Sequence, residues 1–265
     1  MHIVKVDYPH DWESATLYTL ADLHIGDPHS LSGLIGERME EIKQDPHGLV
    51  ILNGDLLNTA LRGSVSDVYG EKMSPMRQIA TLVDILEPIK SKIIGVTTGN
   101  HENRVYKNDG VDIMRLVCRE LGIEERYDPC GVLIFLRFGH KKTHKGIENP
   151  QSYTIYSTHG SGGGRKEGAK AIRLADMATI VDADCYIHSH THLPMIFMQS
   201  FYRVNPGNCS ITKVERLFVN TGATLEYGGY GQMYEFKPSA VATPKVIFKG
   251  RRKHMQAIIG SEKEC

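Results

Sequence analysis

The chain's 265 residues are enough to bury a sizeable core, which excludes a disordered chain and a mini-protein scaffold. Hydrophobic residues make up 41% and charged residues 23%, and 31 Lys and Arg offset 31 Asp and Glu, so this is the composition of an ordinary soluble protein whose net charge selects no partner. No apolar run approaches the ~20 residues that span a bilayer, and the opening segment MHIVKVDYPHDWES has neither an apolar core nor a small-residue cleavage site, so neither membrane insertion nor secretion is expected.

In chain order, short apolar runs alternate with amphipathic stretches: a strand at 15–20, a helix at 31–43, a strand at 49–52, a helix at 76–89, a strand at 93–96 and a helix at 111–121. In the 76–89 segment Ile79, Leu82, Val83, Leu86 and Ile89 recur at helical steps on one face, and Pro75 suits the helix start. Past Pro129 strands follow one another at 132–138, 153–157, 185–187, 195–202, 216–219 and 246–249, with one helix near 169–181. The first part is thus α/β and the second strand-rich. No repeat or Pro/Ser-rich linker divides the chain, which reads as a single domain over 1–265 with a basic, strand-like extension at about 235–265. The connections 58–74 and 140–151 are long for a compact domain, and the first is expected to act as a lid.

Cys118, Cys130, Cys185, Cys209 and Cys265 are odd in number, far apart and form no CxxC pair. They suggest neither a disulfide framework nor a thiolate zinc site, and fit a reducing cytoplasm. Seven Lys and Arg stand against three Asp and Glu in 235–265, densest at Lys249, Arg251, Arg252 and Lys253. Such a strip meets phosphates on a polyanion or, more often, is a solvated terminal strand. Nothing in the sequence specifies an oligomeric state.

The chemistry is concentrated just after the buried strands. Asp22-Leu23-His24, Asn53-Gly54-Asp55, Gly99-Asn100-His101-Glu102, His159-Gly160 and His190-Thr191-His192 each follow one. Loops beyond the carboxyl ends of strands in an α/β sheet converge on one crevice, so these residues can share a site. Asp and Asn after a strand are ordinary turn formers, but His is a poor one, and turn chemistry does not explain why it follows four of five strands. Asp carboxylates, imidazoles and an amide oxygen form a mixed ligand set suited to manganese, iron, zinc, nickel or similar divalent ions, with manganese the first choice. About seven ligands fit two metals better than one, and a two-metal site is suited to phosphoester hydrolysis.

In this order and spacing, D-x-H, G-D, G-N-H-E, H-G and H-T-H resemble the calcineurin-like metallophosphoesterase superfamily, from Asp22 to about His192. The resemblance implies two packed mixed β-sheets flanked by helices. It further implies that Asp22, His24 and His192 hold one metal, that Asn100, His159 and His190 hold a second, and that Asp55 bridges them. His101 would protonate the leaving oxygen or stabilise charge on the phosphoryl group, and a metal-bridging hydroxide would be the nucleophile. His188 alternates with His190 and His192 and is expected to support ligands rather than to be one; Ser189 stands where the family usually has Gly. Asn58 stands where phosphoprotein phosphatases of the family carry a second Asp, and their Asp-Arg-Gly run is missing. This sequence therefore resembles the repair-exonuclease and phosphodiesterase branch, and the orientation of His101 falls to Glu102 or to a backbone carbonyl.

Arg104 is close enough in sequence to His101 to reach a phosphoryl group or to pair with Glu102. The loop Gly160-Ser161-Gly162-Gly163-Gly164-Arg165 either lets backbone N–H groups and Arg165 approach an anion or is a flexible entry to a helix. The segment Tyr227-Gly228-Gly229-Tyr230-Gly231 reads as a tight turn whose tyrosines, at a crevice, would stack on a base. The expected function is a phosphodiesterase acting on a nucleotide or on nucleic acid such as DNA. The alternatives are a phosphomonoesterase for a small molecule or phosphoprotein and, in a different class, a binding module that has lost catalysis, like the retromer subunit that resembles this family.

Overall fold

The computed structural model describes residues 1–9, 11–64, 66–139, 150–162 and 164–260. The connection expected at 140–151 falls almost wholly outside them, as do Gly163 and Cys265. Two sheets form the body of the protein. One contains β1 (His2–Tyr8), β5 (Val132–Phe138), β6 (Gln151–Ser157), β7 (Cys185–His188), β9 (Ser210–Asn220) and β8 (Met195–Asn205), in that spatial order. The other contains β11 (Met255–Ile258), β10 (Lys245–Lys249), β2 (Ser14–Leu20), β3 (Gly48–Asn53) and β4 (Ile93–Thr97). Both are mixed: β2, β3 and β4 run parallel while β10 pairs antiparallel with β2, and β6, β7 and β9 run parallel while β5 and β8 pair antiparallel with their inner neighbours.

The period of two along each strand divides the core. On β2 and β3, Ala15, Leu17, Leu49 and Ile51 point between the sheets and meet Val132, Ile134, Leu136, Ile155, Ile187, Leu217 and Val219. Their alternates Tyr18, Leu20, Val50 and Leu52 pack against Ile35 and Ile42 of α1 (Ser32–Gln44), Leu82 and Leu86 of α2 (Pro75–Leu86), and Met114 and Val117 of α4 (Ile113–Glu120). On the far face of the other sheet, Tyr156, Tyr186 and Phe218 pack against Leu174 of α5 (Glu167–Asp176). β3 and β4 are buried on both faces, which is why they read as continuous apolar runs. The architecture is two mixed sheets flanked by helices, as the motif resemblance implied.

Several features differ from the sequence reading. α3 (Asn100–Asp109) precedes α4, and Gly110, with φ 70°, separates the two. The apolar stretch at 76–89 is α2 followed by a 3₁₀ turn at Glu87–Lys92. The basic strip lies between β10 and β11, where Arg251 pairs with Glu13 and Lys253 with Asp184, so these two charges are met by acidic neighbours within the chain. No helix among the described residues is long and apolar enough to cross a membrane.

Candidate metal centre

The polar clusters sit where β2, β3, β4, β6 and β7 end, so both sheets contribute to one mouth of the sandwich. The turns that carry them are locked to one another: Asp22 N–H donates to Gly54 C=O (3.0 Å) and His24 N–H to Asp55 C=O (3.1 Å). Asp22, His24, Asp55, His190 and His192 all have φ between 47° and 66°. Non-glycine residues seldom occupy this left-handed region, and such backbone persists only where the surroundings over-determine it. Close approach adds a second constraint. A Cβ on Gly99 would lie 2.1 Å from Asp55 Oδ1, and one on Gly54 would lie 2.5 Å from the Gly99 nitrogen.

Three overlapping groups have ligand atoms within 4.8 Å of one another: Asp22, His24 and His192; His24, Asp55 and His101; and Asp55, His159 and His190. Asn100 joins the last, its Oδ1 lying 3.3 Å from His159 Nε2. All seven expected ligands and His101 are thus drawn into this region. Arg104 is partly buried and donates to Ser66 Oγ (3.2 Å), and its charge is felt by His101. Arg165 is directed elsewhere, donating to the Tyr234 carbonyl (3.1 Å) with its guanidinium over the Phe236 ring.

The donor set fits divalent cations. Asp22 is fully buried, yet its Oδ1, 3.1 Å from His192 Nε2, has no hydrogen-bond partner. His24 Nε2 faces His192 Nε2 at 3.4 Å. Buried acceptors left in this state are costly unless a cation meets them. The outer ring nitrogens are already committed: His159 Nδ1 donates to Asn53 C=O (2.7 Å) and His101 Nδ1 to Asn58 C=O (2.9 Å), which turns each Nε2 inward.

Burial and neighbouring charges oppose each other here. Burial works to raise the Asp22 and Asp55 carboxyls, but the imidazoles around them prevail and hold both below the usual range. Burial holds the His24, His101 and His190 rings below theirs. For His159 burial is overcome by Asp55, whose Oδ2 lies 3.1 Å from Nε2, and its pKa rises to about 10.

Several residues support the site through bonds that the sequence did not specify. Asn53 joins the two sheets: its Nδ2 donates to Thr158 C=O (2.9 Å) and Ser189 Oγ (2.6 Å), while its Oδ1 accepts from Thr97 (3.0 Å) and Ser157 (2.7 Å). Glu102 accepts from the backbone N–H groups of Asp55 (3.0 Å), Leu57 (2.9 Å) and Gly99 (2.9 Å), and so pins two site loops to α3. Its place at the third position after Gly99 is the signal of this capping role. Burial, with Asp55 adding to it, pushes the Glu102 carboxyl up to about 7. Asn220 accepts from His188 Nδ1 (2.8 Å) and donates to Leu193 C=O (2.6 Å), which fixes the His190–His192 turn from behind. Within the 58–74 connection, Lys72 N–H donates to Gly26 C=O (2.9 Å) and its Nζ to Pro28 C=O (2.8 Å). These bonds fasten the segment against the body, contrary to a freely hinged lid.

A family model described as calcineurin-like phosphoesterase matches residues 23–194. No curated protein matches the chain. Among solved structures, similarity extends to a conserved uncharacterized protein of Streptococcus pneumoniae, titled a predicted phosphoesterase, at 14% identity and TM-score 0.42, covering 94% of this chain and 90% of that one. It also extends to wild-type Vps29 of Entamoeba histolytica complexed with zinc, at 12% identity and TM-score 0.40, covering 94% and 99%. With the family model spanning more than half of its length, this chain belongs to the calcineurin-like phosphoesterase family.

Proposed function

We propose that the protein is a dinuclear metal-dependent phosphodiesterase acting on a nucleotide or on nucleic acid such as DNA. The observation that carries this reading is the chain of overlapping ligand groups: Asp55 is grouped with His24 and His101 on one side and with His159 and His190 on the other, and His24 is grouped in turn with Asp22 and His192. Asp22, His24 and His192 would hold one ion, Asn100, His159 and His190 the second, and Asp55 both. The mixed oxygen and nitrogen donors favour manganese, with zinc, iron and nickel as competitors. When bound, such ions supply Lewis acidity at a phosphoryl oxygen and an activated water.

The chain's own residues supply orientation and proton transfer. His101 donates a hydrogen bond from Nδ1–H to the Asn58 carbonyl, and burial keeps the ring neutral near pH 7, so Nε2 is an acceptor in the resting state. It is placed to take a proton and return it to the leaving oxygen. Arg104 is the cation we assign to the phosphoryl group, whereas Arg165 is occupied on Tyr234 and Phe236. The free thiols Cys118, Cys130, Cys185 and Cys209 accord with a cytoplasmic setting.

The test is hydrolysis of bis(p-nitrophenyl) phosphate and p-nitrophenyl phosphate by chelator-treated protein with Mn²⁺, Zn²⁺, Ni²⁺ or Mg²⁺ restored. Diester turnover that returns with metal supports the proposal. A large preference for the monoester replaces it with a phosphomonoesterase, and no turnover of either ester points to a binding module.

A further inference from the structure

The 58–74 connection ends on a polar lock that has no place in the ligand set. Glu71 Oε1 accepts from Asn58 Nδ2 (2.9 Å) and from Ala60 N–H (2.8 Å), and its Oε2 accepts from Gln78 Nε2 (2.8 Å). Gln78, fully buried on α2, accepts at Oε1 from Thr59 N–H (2.9 Å) and donates through Nε2 to Met73 C=O (3.0 Å). The pair thus captures two backbone N–H groups and one side chain of the segment Asn58-Thr59-Ala60.

That segment is the one that grips His101. Asn58 C=O accepts from His101 Nδ1 (2.9 Å), and Thr59 Oγ1 donates to His101 C=O (2.8 Å). Thr59 does so with φ 41°, a conformation that a β-branched residue rarely adopts and that holds only when its surroundings impose it. Asn58 carries no negative charge of its own, and the carboxylate bonded to its side chain is Glu71.

We infer that Glu71, through Asn58 and with Gln78 as its partner, is a positioning residue that fixes the tautomer and direction of the His101 ring. The connection that carries it is accordingly a strap. This inference rests on the role given to His101 above, although the ring geometry can be read without turnover. Since a carbonyl can only accept, the lock keeps the proton on Nδ1 and leaves the Nε2 lone pair facing Asp55 and His24.

The experiment compares wild type, Glu71→Gln and the exchange Glu71→Gln/Gln78→Glu. In Glu71→Gln an amide N–H₂ must face either the Gln78 amide or the donors on Asn58 and Ala60, so the lock is broken. The exchange restores its bonds to Asn58, Thr59 and Ala60, because the carboxylate now on α2 can accept from Thr59 N–H and from the amide now on the strap, whose oxygen still accepts from Asn58 and Ala60; it gives up the Gln78 donor to Met73 C=O. With Mn²⁺ and a phosphodiester whose leaving group is an alkyl alcohol, kcat is expected to fall about 10- to 100-fold in the single variant, with KM within about twofold, and to recover to within about threefold in the exchange. In the metal-free proteins, long-range ¹⁵N correlations of the imidazoles should show the Nδ1–H tautomer of His101 in wild type and exchange, and mixed tautomers in Glu71→Gln.

An unchanged kcat and an unchanged tautomer in a folded Glu71→Gln overturn the inference, as does an exchange variant that folds but keeps mixed tautomers. A rise in KM with kcat unchanged would place Glu71 behind Arg104 instead and overturn it equally. If Glu71→Gln does not fold, the exchange variant decides by the same readouts. If wild type turns over neither ester, the phosphoesterase reading fails while the tautomer comparison still judges the role of Glu71.

Discussion

His159 Nε2 lies 3.1 Å from Asp55 Oδ2, with both residues sealed from solvent. In the metal-free protein this pairing raises the His159 pKa to about 10 against the pull of burial, so the ring is charged at pH 7. A cation can bind Nε2 only after that proton leaves. Metal binding at pH 7 should therefore release close to one proton from His159, and affinity should rise with pH until about 10. Calorimetric titration of chelator-treated protein with Mn²⁺ in buffers of different ionisation enthalpy measures the release. Heats that do not depend on the buffer would exclude it.

The same pairing sets the pH dependence of the metal-free fold. A histidine whose folded pKa lies above its unfolded value stabilises fully below about 6.5 and loses that contribution as pH climbs toward 10. The His159 contribution to the urea midpoint of stripped protein should decline across this window. Comparing wild type with His159→Gln isolates it, since the variant should lack the slope.

Asp55→Asn tests the shared carboxylate. The Asn oxygen can still accept from His101 N–H, which lies 2.8 Å from Asp55 Oδ1, so the loop should keep its shape. Bound manganese, measured by elemental analysis after gel filtration, should fall from two ions per chain to one or none. Diester turnover should drop on the order of a hundredfold or more. Full metal content in the variant would remove Asp55 from its proposed position.

How much could be read from sequence depended on what each residue contributes. β2 to β7 and the polar clusters were legible because buried strands are apolar runs and because His has little reason to follow them except chemistry. β1 was not recognised: it is an edge strand, paired only with β5, and its exposed alternate residues interrupt the apolar run. β8 and β9 extend to Asn205 and from Ser210, beyond the predicted ends, because the outer part of this ribbon has residues such as Tyr202, Val204 and Ile211 exposed and no core face to set a period. α3 carries Val105 and Tyr106 as its large apolar residues and thus lacks a stripe; it is held by Glu102 bonding into the site loops. The Glu71 and Gln78 lock joins residues by side-chain geometry, which no local pattern signals.

Gly99→Ala probes the closeness of the β3 and β4 loops. Its methyl would lie 2.2 Å from the Asp55 backbone nitrogen and 2.1 Å from Oδ1, too close for a flexible side chain alone to relieve. The expected cost is about 3 kcal/mol, seen as a fall of about 10 °C in Tm. Gly36→Ala, where a Cβ meets nothing within 4 Å, is the control and should leave Tm unchanged or slightly higher.

His101→Asn separates a proton-moving role from a metal-binding one. The ring shares a ligand group with His24 and Asp55, so its nitrogen is near enough to bind a cation, yet its Nδ1 is committed to Asn58 and its backbone N–H to Asp55. If it moves a proton, the variant should keep its metal while kcat falls about 10²- to 10⁴-fold. The loss should also depend on the leaving group. A p-nitrophenolate departs without a proton and should suffer least, whereas an alkoxide leaving from an alkyl ester needs one and should suffer most. Equal losses on both esters, or loss of bound metal, would instead make His101 a ligand.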